Sequence, residues 1–292
     1  MLICAIRSAV ARPLAAAAAS HFVPVAAKQQ WVRSMALGPA AAATTVSDEL
    51  LDKLNTLSTQ ALIDGLWVLG WPTAFIEGAR PLRAGMKCAG RAVTLRFVPQ
   101  RPDIAMDKPS GTESPEYEAF ERCGPNEVLV MASVGPWESV GGDIKFLRLK
   151  QRQVGGLVTD GSVRDTDELL NYGFPVFSYS TTPKQGPAAM QPWECNGVIS
   201  CGRVAVRPGD AIIGDQDGVV CVPASHAQQV YDIAHGREAI EVIIKEELIK
   251  NPGSPGKFYP FKPPIKPDSP LGQLLTSKGV VFEPFPGLAK AR

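Results

Sequence analysis

Two hydrophobic rhythms run along the chain. Leu50, Leu51, Leu54, Leu57 and Leu62 recur at helical spacing, and Thr45-Val-Ser-Asp48 ahead of them has the form of a capping box. One helix is therefore expected from near Thr45 to Gly65 or Gly70. Residues 92–97 alternate as a strand does, with Val93, Leu95 and Phe97 on one face. Residues 99–115 are polar and carry prolines, which predicts a long loop of the kind used as lids or binding segments. After it come a short apolar strand at 127–131 and a helix at 143–153 whose buried surface is Ile144, Phe146, Leu147 and Leu149. A strand at 154–159, a helix at 166–172 stopped by Gly173 and a strand at 175–179 follow. Strand, helix, strand, helix, strand is the pattern of a parallel βαβ layer.

From Gly197 the period shortens. Residues 198–200, 203–206, 211–213 and 219–222 read as short strands separated by turn signals at Cys201-Gly202, Pro208-Gly209-Asp210 and Asp217-Gly218. This predicts an antiparallel β region packed beside the α/β layer. A long helix with Ser225 at its N-cap is expected to run to about Lys250, followed by a proline- and glycine-rich arm over 251–292 that drapes over the domain or a neighbour.

The amino-terminal 44 residues stand apart. No Asp or Glu occurs before Asp48, while Arg7, Arg12, Lys28 and Arg33 are scattered among alanines and serines. That is the composition of a mitochondrial import peptide; a secretory signal fits less well, because Arg12 interrupts its apolar core, and a low-complexity extension is the plain alternative. The expected organisation is a leader over 1–44, one catalytic domain over 45–250 and the arm, with a mitochondrial location (cytoplasmic as the alternative).

Composition narrows the function. With 292 residues, 45% hydrophobic and 20% charged, the chain can bury a full core. A net charge of +1 without a basic stripe gives no case for nucleic acid, and no apolar run reaches the ~18 residues of a membrane span. The six cysteines form no CxxC pair and the three histidines no metal-binding spacing, which argues against zinc. Neither a Walker loop nor a GxGxxG fingerprint is present.

The candidate chemistry lies in Gly141-Gly142-Asp143 and, twenty residues on, Arg164-Asp165 within VTDGSVRDTDEL. Glycines admit close approach of a ligand to the backbone. Asp143 is expected to cap the following helix, leaving its first amides facing an anion. Arg164 offers a fixed cation for a carboxylate or an enolate oxygen, and Asp165 a hard oxygen ligand. A helix and a strand between them return the chain to the same end of the sheet, where open α/β sheets bind ligands. Taken alone, each piece reads as a turn, a helix cap or a solvated pair; the combination carries the argument. Asp215-Gln-Asp217-Gly218 lacks the outer ligands of a calcium loop and reads as a hairpin turn.

From about Ser47 to Lys250 the chain resembles the RraA-like family, which includes the 4-hydroxy-4-methyl-2-oxoglutarate aldolases. The resemblance rests on Gly142-Asp143, the twenty-residue interval, Arg164-Asp165 within DGSVRD, the GRAVT segment at 90–94 and RPGDAIIGDQDGVVCVP at 207–223. It implies a β/β/α swivelling domain assembled as a homotrimer or dimer of trimers, with active sites between subunits. Gly142, Asp143, Ile144 and Lys145 match the family's substrate-contacting segment. Arg164 matches the arginine on the substrate and Asp165 the carboxylate serving Mg²⁺ or Mn²⁺. A glutamate from an adjacent subunit is implied, with Glu238 and Glu241 as candidates. The loop at 99–115, the leader and the arm depart from compact members.

The resulting expectation is a metal-dependent lyase that cleaves 4-hydroxy-2-oxo acids to pyruvate and decarboxylates oxaloacetate through a common enolate. In that mechanism Arg164, Asp165 and Asp143 are the catalytic residues. The family also holds regulators of ribonuclease E that share the fold, so a non-enzymatic protein-binding ring is the second reading. A hydrolase of a related oxo or diketo acid is the third.

Overall fold

The computed structural model describes residues 45–262 and 264–280; the leader lies outside them. The described residues begin with two helices where one was expected. Helix α1 (Asp48–Asn55) is capped by Ser47, not Thr45: the Ser47 hydroxyl accepts from Leu50 N at 3.2 Å. Helix α2 (Thr59–Val68) is capped in the same way by Ser58, which accepts from Ala61 N at 3.2 Å. Leucine periodicity runs through both helices, but a serine oxygen between them competes for the backbone and starts a new helix.

Strands β1 (Arg80–Pro81) and β2 (Cys88–Pro99) follow. The expected long loop contains two single turns of 3₁₀ helix, Ala105–Asp107 and Gly111–Glu113. It leads into a helix that the sequence reading missed, α3 (Pro115–Arg122), which carries proline at its first position, where no N–H is needed. Next come β3 (Glu127–Ala132), α4 (Asp143–Gln151), β4 (Gly156–Thr159), β5 (Ser162–Val163), α5 (Thr166–Tyr172), β6 (Val176–Ser178) and β7 (Ser180–Thr181). The unforeseen β8 (Met190–Cys195) precedes β9 (Ile199–Cys201), β10 (Val204–Val206), β11 (Ala211–Asp215) and β12 (Gly218–Val222). Helices α6 (Ala227–Lys250) and α7 (Pro270–Ser277) complete the described chain.

The main sheet is ordered β1-β6-β4-β3-β2-β11-β12, with β8 also on β2. Strands β2, β3, β4 and β6 are mutually parallel, as the βαβ rhythm predicts. The carboxyl-terminal strands correct the expectation of a β region beside this layer: β11 pairs antiparallel with β2 and β12 with β11, so both extend the same sheet. Of the described strands after β8, β9 and β10 form a separate hairpin, while β5 and β7 pair parallel outside the main sheet. Ile76 N and Cys221 N donate to Val219 O and Ala74 O, each at 2.9 Å, tying residues 74–76 to β12. Because β1 pairs with β6 at the other end, the mixed sheet nearly closes on itself.

Side-chain alternation along β3 feeds two of the core's clusters, one on each face of the sheet. Leu129 and Met131 of β3 face α3, α4 and α5 through Phe120, Phe146, Leu149 and Leu169. Val128 and Val130 face the opposite side, with Val206, Ile212 and Cys221. Within α4 only Phe146 and Leu149 are buried; Ile144 is 79% exposed and Leu147 37%, against the expectation that all four would be covered. Ser225 does not cap α6; its hydroxyl meets His226 Nδ1 at 2.8 Å, and a 3₁₀ turn at Ala224–His226 leads into the helix. The described part of the arm packs on its own chain, where Phe258, Phe261, Leu271 and Leu275 cover Ile244 of α6; residues 281–292 lie outside the described residues. No helix among the described residues is long and apolar enough to cross a membrane.

Candidate active site

The approach to α4 is zipped to β5 by consecutive backbone hydrogen bonds. Ser162 N donates to Glu138 O at 2.9 Å, Val140 N to Ser162 O at 2.9 Å and Arg164 N to Gly141 O at 3.1 Å. This run of parallel pairing brings the two glycines against Arg164-Asp165 across the twenty-residue interval, as the spacing predicts. Contact at Gly142 is close. A Cβ there would lie 2.5 Å from Asp165 Oδ2 and 2.6 Å from Arg164 Cγ, while one on Gly141 would lie 2.6 Å from the Phe146 ring. Absence of a side chain is thus the requirement that both glycines meet.

The head of α4 is built differently from the expectation. Gly142, not Asp143, occupies the N-cap, and no side chain of the preceding turn caps the helix. The carboxylate that does so belongs to Asp165, whose Oδ2 accepts from Asp143 N at 3.2 Å. Asp165 has left-handed backbone, φ 55° and ψ 45°, at the N-cap of α5, yet makes no cap bond to its own helix. That conformation is costly for residues other than glycine and is best tolerated by Asn and Asp; it turns the Asp165 side chain toward the neighbouring helix instead. Arg164 Nε lies 3.3 Å from Asp165, and both side chains are more than one-third exposed. Thus a guanidinium and a carboxylate stand at a helix amino terminus, where orphan amides and the macrodipole favour negative charge. The first intrahelical bond runs from Phe146 N to Gly142 O at 2.9 Å, so the amides of Ile144 and Lys145 precede the helical ladder.

Asp143 turns its carboxylate toward α5, accepting from the Tyr172 hydroxyl. That bond to Asp143 foremost, with burial and neighbouring negative charge, pushes the Tyr172 phenol up to about 12. Tyr172 thus fixes Asp143, a role no local motif signals, because the two lie 29 residues apart and meet only when α4 packs on α5. The Ser139 hydroxyl, donating to Gly141 O at 3.2 Å, is a second support the sequence did not reveal. Lys145 sends its side chain away from this cluster, to Glu116 of α3 at 2.7 Å. Glu238 accepts from Ser58 N at 3.0 Å and Ser58 Oγ at 2.8 Å, and Glu241 lies 3.8 Å from Arg237, so each has a role within its own chain. Trp137 stacks edge-on against Tyr179 beside the site and is half exposed. Glu138 pairs with Lys184 at 2.8 Å. Asp215, on the β11–β12 hairpin, accepts from Thr59 N at 2.9 Å and so holds the start of α2.

The RraA-like family model, described as Aldolase/RraA, matches residues 43–221. The chain belongs to the RraA-like family. Similar to it is a protein of Halalkalibacterium halodurans named "Putative 4-hydroxy-4-methyl-2-oxoglutarate aldolase", 28% identical over 196 residues, covering 65% of this chain and 84% of that one. Among solved structures, Streptomyces coelicolor RraAS2, described as an unusual member of the RNase ES inhibitor RraA protein family, is 30% identical with a TM-score of 0.63. The match covers 69% of this chain and 98% of RraAS2. An uncharacterized protein from Pseudomonas syringae shares the fold at 24% identity and a TM-score of 0.65, covering 75% of this chain and 97% of that one.

Aldolases of the RraA-like family typically depend on a divalent metal, and the donors at the head of α4 suit one kind of ion. Among the described residues no group of three or more His, Cys, Asp and Glu side chains is gathered closely enough to enclose a metal. Asp165 and Asp143 supply hard carboxylate oxygens at neighbouring helix starts, without sulfur or imidazole. Such a set suits Mg²⁺ or Mn²⁺, since Mg²⁺ keeps several waters and takes one or two protein carboxylates, and it does not suit zinc.

Proposed function

We propose that this protein is a divalent-metal-dependent carbon–carbon lyase that cleaves 4-hydroxy-2-oxo acids, such as 4-hydroxy-4-methyl-2-oxoglutarate, to pyruvate and decarboxylates oxaloacetate. The observation that carries the reading is the meeting of Arg164 and Asp165 with the amino terminus of α4. The amides of Ile144 and Lys145 take the substrate carboxylate, as helix starts do with anions. Arg164 faces the keto oxygen, where negative charge develops as the C3–C4 bond breaks and its electron pair passes toward C3 and that oxygen. The C4 hydroxyl gives up its proton as C4 becomes the carbonyl of the second product (in oxaloacetate C4 leaves as CO₂), and the enolate takes a proton at C3, giving pyruvate. Asp165, with Asp143 beside it, would hold the Mg²⁺ or Mn²⁺, which when bound supplies a Lewis acid for the 2-oxo acid. Tyr172 keeps Asp143 oriented. A homotrimer or dimer of trimers, with a carboxylate from a neighbouring subunit completing the site, belongs to the same proposal.

The purified protein is expected to release pyruvate from oxaloacetate and from 4-hydroxy-2-oxo acids. EDTA should abolish that release and added Mg²⁺ or Mn²⁺ restore it. Full activity in metal-free protein would overturn the metal-dependent mechanism. The likeness to RraAS2 favours a second reading, a regulator that acts by binding a protein partner. Absence of pyruvate release on every 2-oxo acid tried, with metal present, would select it.

The acid-free, basic residues 1–44 are proposed to direct the protein to mitochondria. A fluorescent protein carrying this segment is expected to accumulate there; a diffuse cytosolic signal would refute the assignment.

A further inference from the structure

Lys145 is unusual in serving two surroundings. Its backbone lies in the first turn of α4, but its side chain enters a cavity of about 330 Å³ roofed by the loop after β2 and walled by Phe97, Val140 and Met190. There its ammonium reaches both oxygens of Glu116, at 2.9 and 2.7 Å. The Glu116 side chain is only 5% exposed. Burial pushes its carboxyl up, against the pull of Lys145. An ammonium has three donors. Two meet Glu116, and the third has no protein acceptor among the described residues.

Charge and size say what that donor is for. Besides this pair the only charged group lining the cavity among the described residues is Lys108, which lies 4.9 Å over the Trp193 ring, so the described lining carries one net positive charge. Both Glu116 oxygens are already engaged by Lys145, and the rest of the polar lining, including Gln100, Ser110, Tyr117 and Gln191, is uncharged, so the charge that an occupant meets is positive. The volume is at the small end of ligand pockets. None of Asp143, Arg164 and Asp165 lines it, although Ser139, Val140 and Lys145 bracket the glycine segment between them.

We propose that this cavity is a second ligand site, which binds a small carboxylate through the free donor of Lys145, with Glu116 holding the ammonium in place. The carboxylate has two possible sources. It is either a separate small acid, whose binding would act on the first turn of α4 through Lys145, or the far end of a 2-oxo diacid whose keto end lies at Arg164. With a separate acid as occupant the site stands independently of the lyase reading; with a substrate tail it rests on that reading.

Met190 lines the cavity and is 2% exposed, so its methyl group is a built-in reporter. The full-length protein is labelled with ¹³C-methyl methionine, and the Met190 resonance is identified by its loss in Met190→Leu. Succinate, which has no keto group, is titrated, and a saturable shift of Met190 is expected. Glu116→Gln relieves the ammonium of a competing charge and should tighten succinate binding severalfold. Lys145→Met/Glu116→Gln removes the donor without stranding a buried carboxylate and should weaken binding at least ~10-fold, the scale of one hydrogen bond to a charged group. A merely structural ion pair would not move affinity in opposite directions. If succinate affinity is unchanged with saturating pyruvate and Mg²⁺, the ligand is a separate acid. If 2-oxoadipate shifts Met190 only while Arg164 is intact, the carboxylate is the tail of a substrate. No Met190 response to either acid, or the same affinity in wild type and the double variant, would overturn the proposal. Because no step reads turnover, a failed lyase assay leaves this result standing.

Discussion

Arg164→Lys is expected to lower pyruvate-forming turnover roughly 10²–10³-fold, the effect of losing one preorganised donor to a developing oxyanion. Lysine keeps the charge but not the planar fork that makes two directed contacts. Little else should change. Arg164 is more than one-third exposed, and its only side-chain ion pair among the described residues is the long one to Asp165 at 3.3 Å; an exposed pair of that kind adds little stability. The backbone bond from Arg164 N to Gly141 O survives the substitution. Thermal melting and assembly should therefore match the parent. Turnover near the parent's on every active 2-oxo acid, or loss of the folded state, would show that Arg164 is structural and that the site lies elsewhere. Asp165→Asn is the matching control, since asparagine also tolerates the left-handed backbone at that position. It should instead raise the Mg²⁺ concentration needed for half-activity.

Gly142→Ala is expected to cost at least ~10²-fold in turnover, by displacing groups that must be held to well under an ångström. Gly142 has extended backbone, φ −167°, which alanine adopts freely, so the effect comes from collision and not from strain. The new methyl would sit 2.5 Å from Asp165 Oδ2, 2.6 Å from Arg164 Cγ and 3.0 Å from Arg164 O. The side-chain contacts can be relieved by swinging Arg164 and Asp165 outward, at modest cost because both are partly exposed, but that movement dismantles the site. Activity should fall far more than melting temperature. A variant that keeps activity within a few-fold of the parent would place the reacting groups away from this junction.

Much of the path to the site was legible along the chain. The twenty-residue interval between Asp143 and Arg164 predicted a helix and a strand that return to the same end of the sheet, and the backbone pairing of 138–141 with 162–164 delivers that meeting. Helix α5 runs from Thr166 to Tyr172 and stops at Gly173, φ 81°, as expected. A helix that ends on a left-handed glycine is specified by a few adjacent residues. The alternation of Val128, Leu129, Val130 and Met131 between two core faces likewise needs only the pleat of one strand.

What the sequence determined by itself, then, was the order and kind of most elements, the parallel βαβ layer, and which residues gather at the head of α4. These depend on periodicity, capping and spacing, all of them short-range. Tertiary structure alone decided the partners. It joined β11 and β12 to β2 in one nearly closed sheet, because an edge strand takes whichever unpaired edge its connections reach. It set Asp165 on the start of α4 while Asp143 turned to Tyr172, and it buried Glu116 against Lys145, 29 residues away. Several acceptors could satisfy each of these donors locally, and a buried charge or an orphan amide is settled only by the group that packing brings within reach.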